Sequence, residues 1–412
     1  MKKTLAAVAV LGAFAGSALA ADVQLYGIVD TGVGYNHVDV DSLDGVTIPG
    51  AGGATAYSFA DSDSFSMMSG QASGSRFGFK GTEDLGNGLT VGFILENGVT
   101  TDDGADTSNF FNRESSLFVQ GGFGKFAMGR IGSINNGQSS WAKMGMLSTF
   151  GTSDWGGYSA QLGNIMSTAG QWDNMIAYET PDFAGFKVFA QYGMGSNGDE
   201  NESSSDRYYA IGATYNNGPF AGYFAVDSIN YKTAGADIDD DYIDDSLTVT
   251  LGGSWDFEVA KVYLGAQYFD EVKLSSIGGI TKTTVSDINL RKINEDLPDI
   301  TVGALLKVKG YGISLSADAP VAGGKAMFGM GYVDAESADS IQDAIEASDV
   351  TGDIDLKRYV VSVGYDYPFS KRTDVYAVAS YMQDKVDVSL NGESIDWDPS
   401  AYTFYVGLRH RF

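Results

Sequence analysis

Four cations and one acid in this chain have the types and spacing to set up an electric field across a water-filled space. Arg76, Lys80, Arg113 and Arg130 lie in or beside short alternating segments, and Asp154 is the one acid in the Gly- and Ser-rich stretch 132–171. In the run Arg76 to Lys80, Arg76, Gly78 and Lys80 share one face of an extended chain while Phe77 and Phe79 take the other. An arginine facing lipid costs about 2–4 kcal/mol near the bilayer midplane, so the cationic face belongs on the wet side of any membrane wall. Arg113 and Arg130 stand near segment ends, where parity assigns no face. Cations on a wall opposite Asp154 would orient dipolar solutes and screen ions. The same arginines could equally pin the 132–171 stretch by hydrogen bonds, and the two readings are compatible.

Other chemistry is poorly provided for. Nucleophilic hydrolysis usually needs a histidine-based nucleophile or base system, and the chain has two histidines, His37 and His410, neither beside a serine or acid constellation. Cysteine is absent, which excludes disulfides and thiolate metal sites. Asp237, Asp239 and Asp241 have the alternate spacing of a calcium loop but lack its glycine and distal glutamate. No catalytic residue, resident metal or cofactor is expected.

The elements that must position the charged residues are strands. In the last eleven residues Tyr402, Phe404, Val406, Leu408 and Phe412 point one way, and Thr403, Tyr405, Gly407, Arg409 and Arg411 the other. The same two-faced pattern recurs at 186–192, 247–255, 260–268 and 358–367. These segments are joined alternately by short turns rich in Gly, Asn, Asp and Pro (86–88, 121–124, 181–185, 216–219, 256–258, 320–324 and 368–372) and by long polar loops (37–71, 101–111, 132–171, 196–206, 232–245, 271–299, 335–354 and 386–400). Seven turns and eight loops join sixteen strands, with 271–319 parsed as one loop and one long strand. A soluble sandwich also alternates. The long-short rhythm, the even strand number and a composition of 54 Gly, 46 Phe plus Tyr and 7 Pro favour an all-β transmembrane antiparallel barrel wide enough to hold water. The 132–171 loop would then fold into the lumen as a constriction; an external flap is the other reading.

Residues 1–20 read as a cleaved signal peptide: Lys2 and Lys3, an apolar run from Leu5 to Ala15, then Ala18-Leu19-Ala20. Residues 21–412 form one barrel domain. The formal net charge of −27 argues against nucleic acid or an anionic membrane surface as partner. Much of the acid falls in the loops, at Asp199 to Glu202, Asp237 to Asp245 and between 334 and 355. These are either solvated, mutually repelling tips or collectors of divalent cations.

The chain resembles the general porins of Gram-negative outer membranes, in their β-proteobacterial branch. The stretches that carry the likeness are Leu25 to Asp30, Gly74 to Gly88, Gly121 to Arg130, Asn174 to Phe186, Gly364 to Tyr376 and Val406 to Phe412. The resemblance implies a sixteen-stranded homotrimer in the cell outer membrane, passing ions and small hydrophilic solutes by diffusion. It implies that Arg76, Lys80, Arg113 and Arg130 form one side of the constriction, and that the barrel assembly machinery reads Phe412. Outer-membrane lipid and lipopolysaccharide would be further partners, the latter bridged by divalent cations at acidic loops. Two departures stand out. The run Trp155-Gly156-Gly157 replaces the family's proline-phenylalanine-glycine turn, and Gln171-Trp172 stands where many relatives carry an arginine. A solute-selective channel with Trp141, Trp155 and Tyr158 as stacking surfaces, and an adhesive or surface-structural barrel, are the alternatives.

Overall fold

The computed structural model describes residues 23–41, 47–48, 57–58, 60–105, 109–195, 206–231, 244–281, 307–342, 352–390 and 393–412. Residues 1–20, read above as a signal peptide, and the acidic runs 199–202 and 237–243 lie outside them.

Sixteen strands form the wall. The first half comprises β1 (Gln24–Asp39), β2 in two pieces (Ser62–Ser69 and Arg76–Gly86), β3 (Leu89–Gly98), β4 (Glu114–Gly121), β5 (Gly124–Gly132), β6 (Gln171–Glu179), β7 (Phe186–Gly193) and β8 (Arg207–Asn217). The second half comprises β9 (Phe220–Asn230), β10 (Leu247–Asp256), β11 (Lys261–Lys273), β12 (Lys307–Val321), β13 (Gly324–Ser337), β14 (Gly352–Pro368), β15 (Thr373–Leu390) and β16 (Ser400–Arg411). Each pairs antiparallel with its chain neighbours, and β16 returns to β1 in a ladder running from Ile28 opposite Arg411 to Asp39 opposite Ser400. The sheet therefore closes and leaves no free edge, as a spanning sheet in hydrocarbon must. A short extra strand, Glu393–Trp397, lengthens β15 beyond the wall.

Alternation sets which side chains face out. Ile211, Leu251, Leu264, Val363, Phe404, Val406 and Leu408 are exposed on the outer surface, whereas Thr250, Gln267, Ser316, Ser362, Ser380 and Thr403 are buried inside. This inversion of a soluble fold makes sense only where hydrocarbon or a second subunit covers the outside. Aromatic rings mark both limits of the apolar band. Tyr215, Phe220, Trp255 and Phe257 form a chain of ring contacts at the short-turn end, and Tyr311, Tyr332 and Tyr359 form one at the loop end. Tyr359 and Tyr367 lie on the outer face of β14 eight residues apart. At about 3.3 Å per residue and about 40° tilt that is about 20 Å, close to the apolar band of about 25 Å typical of such barrels.

One detail differs from the sequence reading. Strand β2 starts at Ser62, inside what reads as a loop, and is interrupted at residues 70–75. Its upper piece alternates Ser62, Ser64 and Ser66 with Asp63, Phe65 and Met67, too polar to register as a membrane strand. The described part of β12 begins at Lys307, and the stretch 282–306, over which a loop and the start of one long strand are expected, lies outside the described residues.

Candidate functional site

The connection between β5 and β6 enters the lumen. Its neck is closed by the Ser133 amide donating to the Gly170 carbonyl at 2.9 Å. Beyond the neck, inward side chains of the wall satisfy its backbone. The Ser167 amide donates to Gln267 Oε1 at 2.6 Å, the Ala160 amide to Ser362 Oγ at 2.7 Å and the Thr149 amide to Ser316 Oγ at 3.1 Å. Asn135 Nδ2 donates to Asp227 Oδ1 at 2.9 Å. Because an unpaired buried amide costs about 1–3 kcal/mol, these polar wall residues specify where the loop lies.

Apolar side chains dock the same loop. Leu147, Phe150, Leu162, Ile165 and Met166 are almost wholly buried within the barrel. They fit because the wall beneath them carries glycines: a Cβ on Gly312 would sit 1.8 Å from the Ile165 carbonyl oxygen, and one on Gly329 would sit 2.9 Å from the Phe150 ring. One face of the loop is thus dry and packed, and the other faces the channel. The expected inward folding holds.

At the loop's far end Trp155, Gly156 and Gly157 have φ of 50°, 91° and 107°, a left-handed turn that two glycines ease. The turn docks on the break in β2. The Trp155 amide donates to the Gln71 carbonyl and the Gly156 amide to Gln71 Oε1, both at 2.8 Å, while Thr403 Oγ1 donates to the Gly156 carbonyl at 3.2 Å. The break is held in turn by Asp30, whose carboxylate accepts from the amides of Ala72 and Ser73 and from the Tyr376 hydroxyl. Trp155 lies edge-on to Phe150 and Tyr376, with ring centroids 5.7 and 5.3 Å apart. Trp141 and Trp155 are 2% and 5% exposed, so neither offers a stacking surface to a solute; Tyr158 is half-buried and faces the channel.

Between the loop and the wall lies a cavity of about 490 Å³. Asn36, Gln138, Asp154, Tyr158, Gln161 and Ser275 are among its lining residues, and Asp154 is the single charged one among the described residues. The cations lie on the β2–β5 wall. Arg113 Nε donates to Glu96 Oε1 at 2.7 Å, and Arg76 Nε stands 3.5 Å from Glu96 Oε2. Arg113 also donates to Gln138 Oε1 at 2.9 Å, which links the wall to the cavity lining. Arg130 pairs with Asp173 at 2.5 Å and donates to the Asn112 carbonyl. Lys80 is exposed, its ammonium 5.1 Å from the centre of the Tyr26 ring.

Sequence reasoning missed Glu96, Glu114 and Asp173. Glu96 sits opposite Gly78 in the β2–β3 ladder, so the parity that turns Arg76 and Lys80 inward turns Glu96 inward too. Glu114 accepts from Ser116, Ser139 and Ser140, anchoring the loop's first turn. Lys143, the loop's own cation, donates to the Ser140 carbonyl and lies 5.1 Å from the Phe189 ring. Burial pushes its ammonium below the ordinary lysine pKa. Gln171 donates to Gln138 Oε1 at 3.0 Å, and Trp172 stacks on Tyr208.

A family model described as Gram-negative porin matches residues 6–387. The chain belongs to the Gram-negative porin family. Among similar proteins of this family, an outer membrane porin protein of Bordetella pertussis is 32% identical over the full length of both chains. Outer membrane porin protein 32 of Delftia acidovorans is 29% identical, also over the whole of both. An anion-selective porin from Comamonas acidovorans has the same fold, with a TM-score of 0.62 at 24% identity over 95% of this chain and all of that one. The protein is thus an outer-membrane porin: a closed sixteen-stranded barrel forming a channel, with the β5–β6 loop as its internal partition. Phe412 closes the porin wall, its amide and carbonyl both paired with Gly27 and its ring lying over that glycine.

Proposed function

We propose that this porin is a general diffusion channel for ions and small hydrophilic solutes, assembled as a homotrimer. The observation that carries the reading is the lining of the cavity beside the loop. It presents amides, hydroxyls and one carboxylate, with the loop's tryptophans turned into the wall. Such a surface hydrates solutes without gripping them, which favours general diffusion over a channel built on aromatic stacking. Arg76, Lys80, Arg113 and Arg130 form the cationic side of the constriction and Asp154 the facing acid. Because Glu96, shared by Arg76 and Arg113, and Asp173, paired with Arg130, offset part of the cationic charge, the eyelet itself discriminates weakly by charge. The acidic loops bias the mouth toward cations at low salt, in contrast to the Comamonas protein described as anion-selective.

The trimer reading is supported by an apolar groove on the outer wall, lined by Val33, Phe65, Val363, Ala377, Ala379 and Phe404, where small residues leave room for a neighbouring subunit. Phe412 is the signal for the barrel assembly machinery. Lipopolysaccharide bridged by divalent cations at the acidic loops is part of the same proposal; no cluster of metal-ligating residues occurs among the described residues. An enzymatic role has little to draw on. His37 stacks on Tyr402 and contacts Asp63, and His410 contacts Thr373, both on the wall rather than in the channel.

Liposome swelling in a graded series of uncharged sugars tests the proposal. General diffusion gives rates that fall smoothly with solute size. A sugar that enters faster than a smaller one, with saturation, would show selective binding instead.

A further inference from the structure

The porin has a second inward segment, and it bears on the same channel. After β11 the chain makes a short 3-10 turn, Leu274–Ser276, and runs on to Thr281 inside the barrel, with Leu274, Ile277 and Ile280 buried. It lies against the β5–β6 loop. The Gly278 amide donates to the Gly163 carbonyl at 2.8 Å, and Ser167 Oγ and Ser276 Oγ are 2.8 Å apart. Ser275, Ser276, Gly278 and Gly279 line the cavity together with Asp154, Tyr158 and Asn164.

One fully buried ion pair contacts both segments. Arg358 of β14 and Asp384 of β15 are cross-strand partners, and neither has any exposed side-chain surface. Two parallel bonds join them, Nε to Oδ1 at 2.6 Å and Nη2 to Oδ2 at 2.8 Å. The remaining Arg358 nitrogen donates to the carbonyls of Asn164, at 2.9 Å, and of Gly278. Asp384 also accepts from the amide of Thr281, at 2.9 Å, and from its hydroxyl. The pair therefore spends its spare hydrogen-bonding capacity on two loops rather than on the wall. Gly279, with φ of 109°, leaves space for the guanidinium: a Cβ there would sit 2.4 Å from Cζ. Burying a charge pair that merely joins two strands gives little stability over apolar residues of similar volume, so what this pair specifies is the position of the loops.

We propose that residues 274–281 form a second wall of the constriction, and that Arg358 and Asp384 are the positioning residues holding it against the β5–β6 loop. The size limit of the pore is then set by two loops clamped together, not by one. This inference rests on the channel reading above.

The test uses Arg358→Met/Asp384→Leu, which removes the pair's bonds to Asn164, Gly278 and Thr281 while keeping apolar volume and leaving the pair's net charge at zero. In planar bilayers this variant is expected to show higher conductance and more current noise. In liposomes the ratio of disaccharide to monosaccharide entry should rise. Cation-to-anion preference should stay unchanged, since no net charge is lost. Ser167→Cys/Ser276→Cys, added to that variant in a chain with no native cysteine, should restore the wild-type ratio on oxidation and release it on reduction. Conductance and sugar ratio identical to wild type in the Met/Leu variant would overturn the inference. If that variant does not assemble, the cysteine pair in the otherwise native porin decides. Disulfide formation with unaltered conductance supports the clamp, and failure to cross-link or a drop in conductance on oxidation refutes it. A wild-type protein that conducts nothing would instead refute the channel reading on which this one stands.

Discussion

Trp155→Ala is the perturbation that most sharply separates the loop from the wall. The indole is 5% exposed, packs edge-on against Phe150 and Tyr376, and donates Nε1–H to the Phe150 carbonyl at 2.7 Å. Truncating a buried Trp to Ala costs about 3–5 kcal/mol. Here nearly all of the cost falls on loop docking, because no backbone pairing of the sixteen strands runs through Trp155. At about 1.4 kcal/mol per tenfold change, the undocked fraction of the loop rises by roughly two to three and a half orders of magnitude. The hydrogen bonds from the amides of Trp155 and Gly156 to Gln71 remain and keep the docked state in the ensemble. The expected record is a noisier channel with brief higher-conductance excursions, faster sugar entry into liposomes and protease cleavage within 133–170, with the thermal transition of the barrel unchanged. Wild-type noise, swelling rates and protease resistance in the variant would mean that the tip does not hold the loop. A lowered barrel transition without altered conductance would place the indole's role in the wall.

Three further outcomes follow from single sites. Glu96→Gln leaves Arg76 and Arg113 without their shared carboxylate, so the reversal potential in a salt gradient should shift toward anion preference, most at 0.1 M salt, where screening extends about 10 Å, and least at 1 M, where it extends about 3 Å; no shift at low salt would mean the guanidiniums lie outside the ion path. Deleting Phe412 removes both of its backbone bonds to Gly27 and the ring over that residue, and unheated gels should show a loss of heat-resistant oligomers, whereas normal oligomer yield contradicts the assembly role. Lys143, held below the ordinary lysine pKa by burial, binds fewer protons in the native than in the unfolded chain between its lowered value and about 10.4, so in that window stability rises with pH, and the loss of its charge moves permeability toward cations. Lys143→Met should abolish that alkaline change in permeability, and a variant that keeps the wild-type pH profile rules Lys143 out as its source.

Much of the wall was legible in the sequence because its determinants are local. Period-two alternation, turn residues and the final Tyr402 to Phe412 strand are each contained within a dozen residues, and they led to sixteen strands in an antiparallel barrel. The interrupted strand β2 was not legible. Its upper piece, Ser62–Ser69, is polar on the inward face and lies beside a break whose anchor, Asp30, is distant in the chain. The site was legible in part. Arg76 and Lys80 could be turned inward by parity, but Glu96, their neighbour on β3, emerges only when register pairs it with Gly78. The luminal glycines and the Arg358–Asp384 clamp were hidden for the same reason. A glycine in a strand reads as weak β propensity until the opposing side chain, here Phe150 or Ile165, is known.

The central claim is that this barrel is an open, water-filled pore narrowed from within. Single-channel recording of the purified wild-type protein in planar bilayers tests it most directly. The account predicts stable, near-ohmic steps arriving in groups of three, with weak cation preference in dilute salt that fades as salt is raised. Insertion without conductance, or a wide pore with noise and sugar permeability unaffected by the state of the β5–β6 loop, would contradict it.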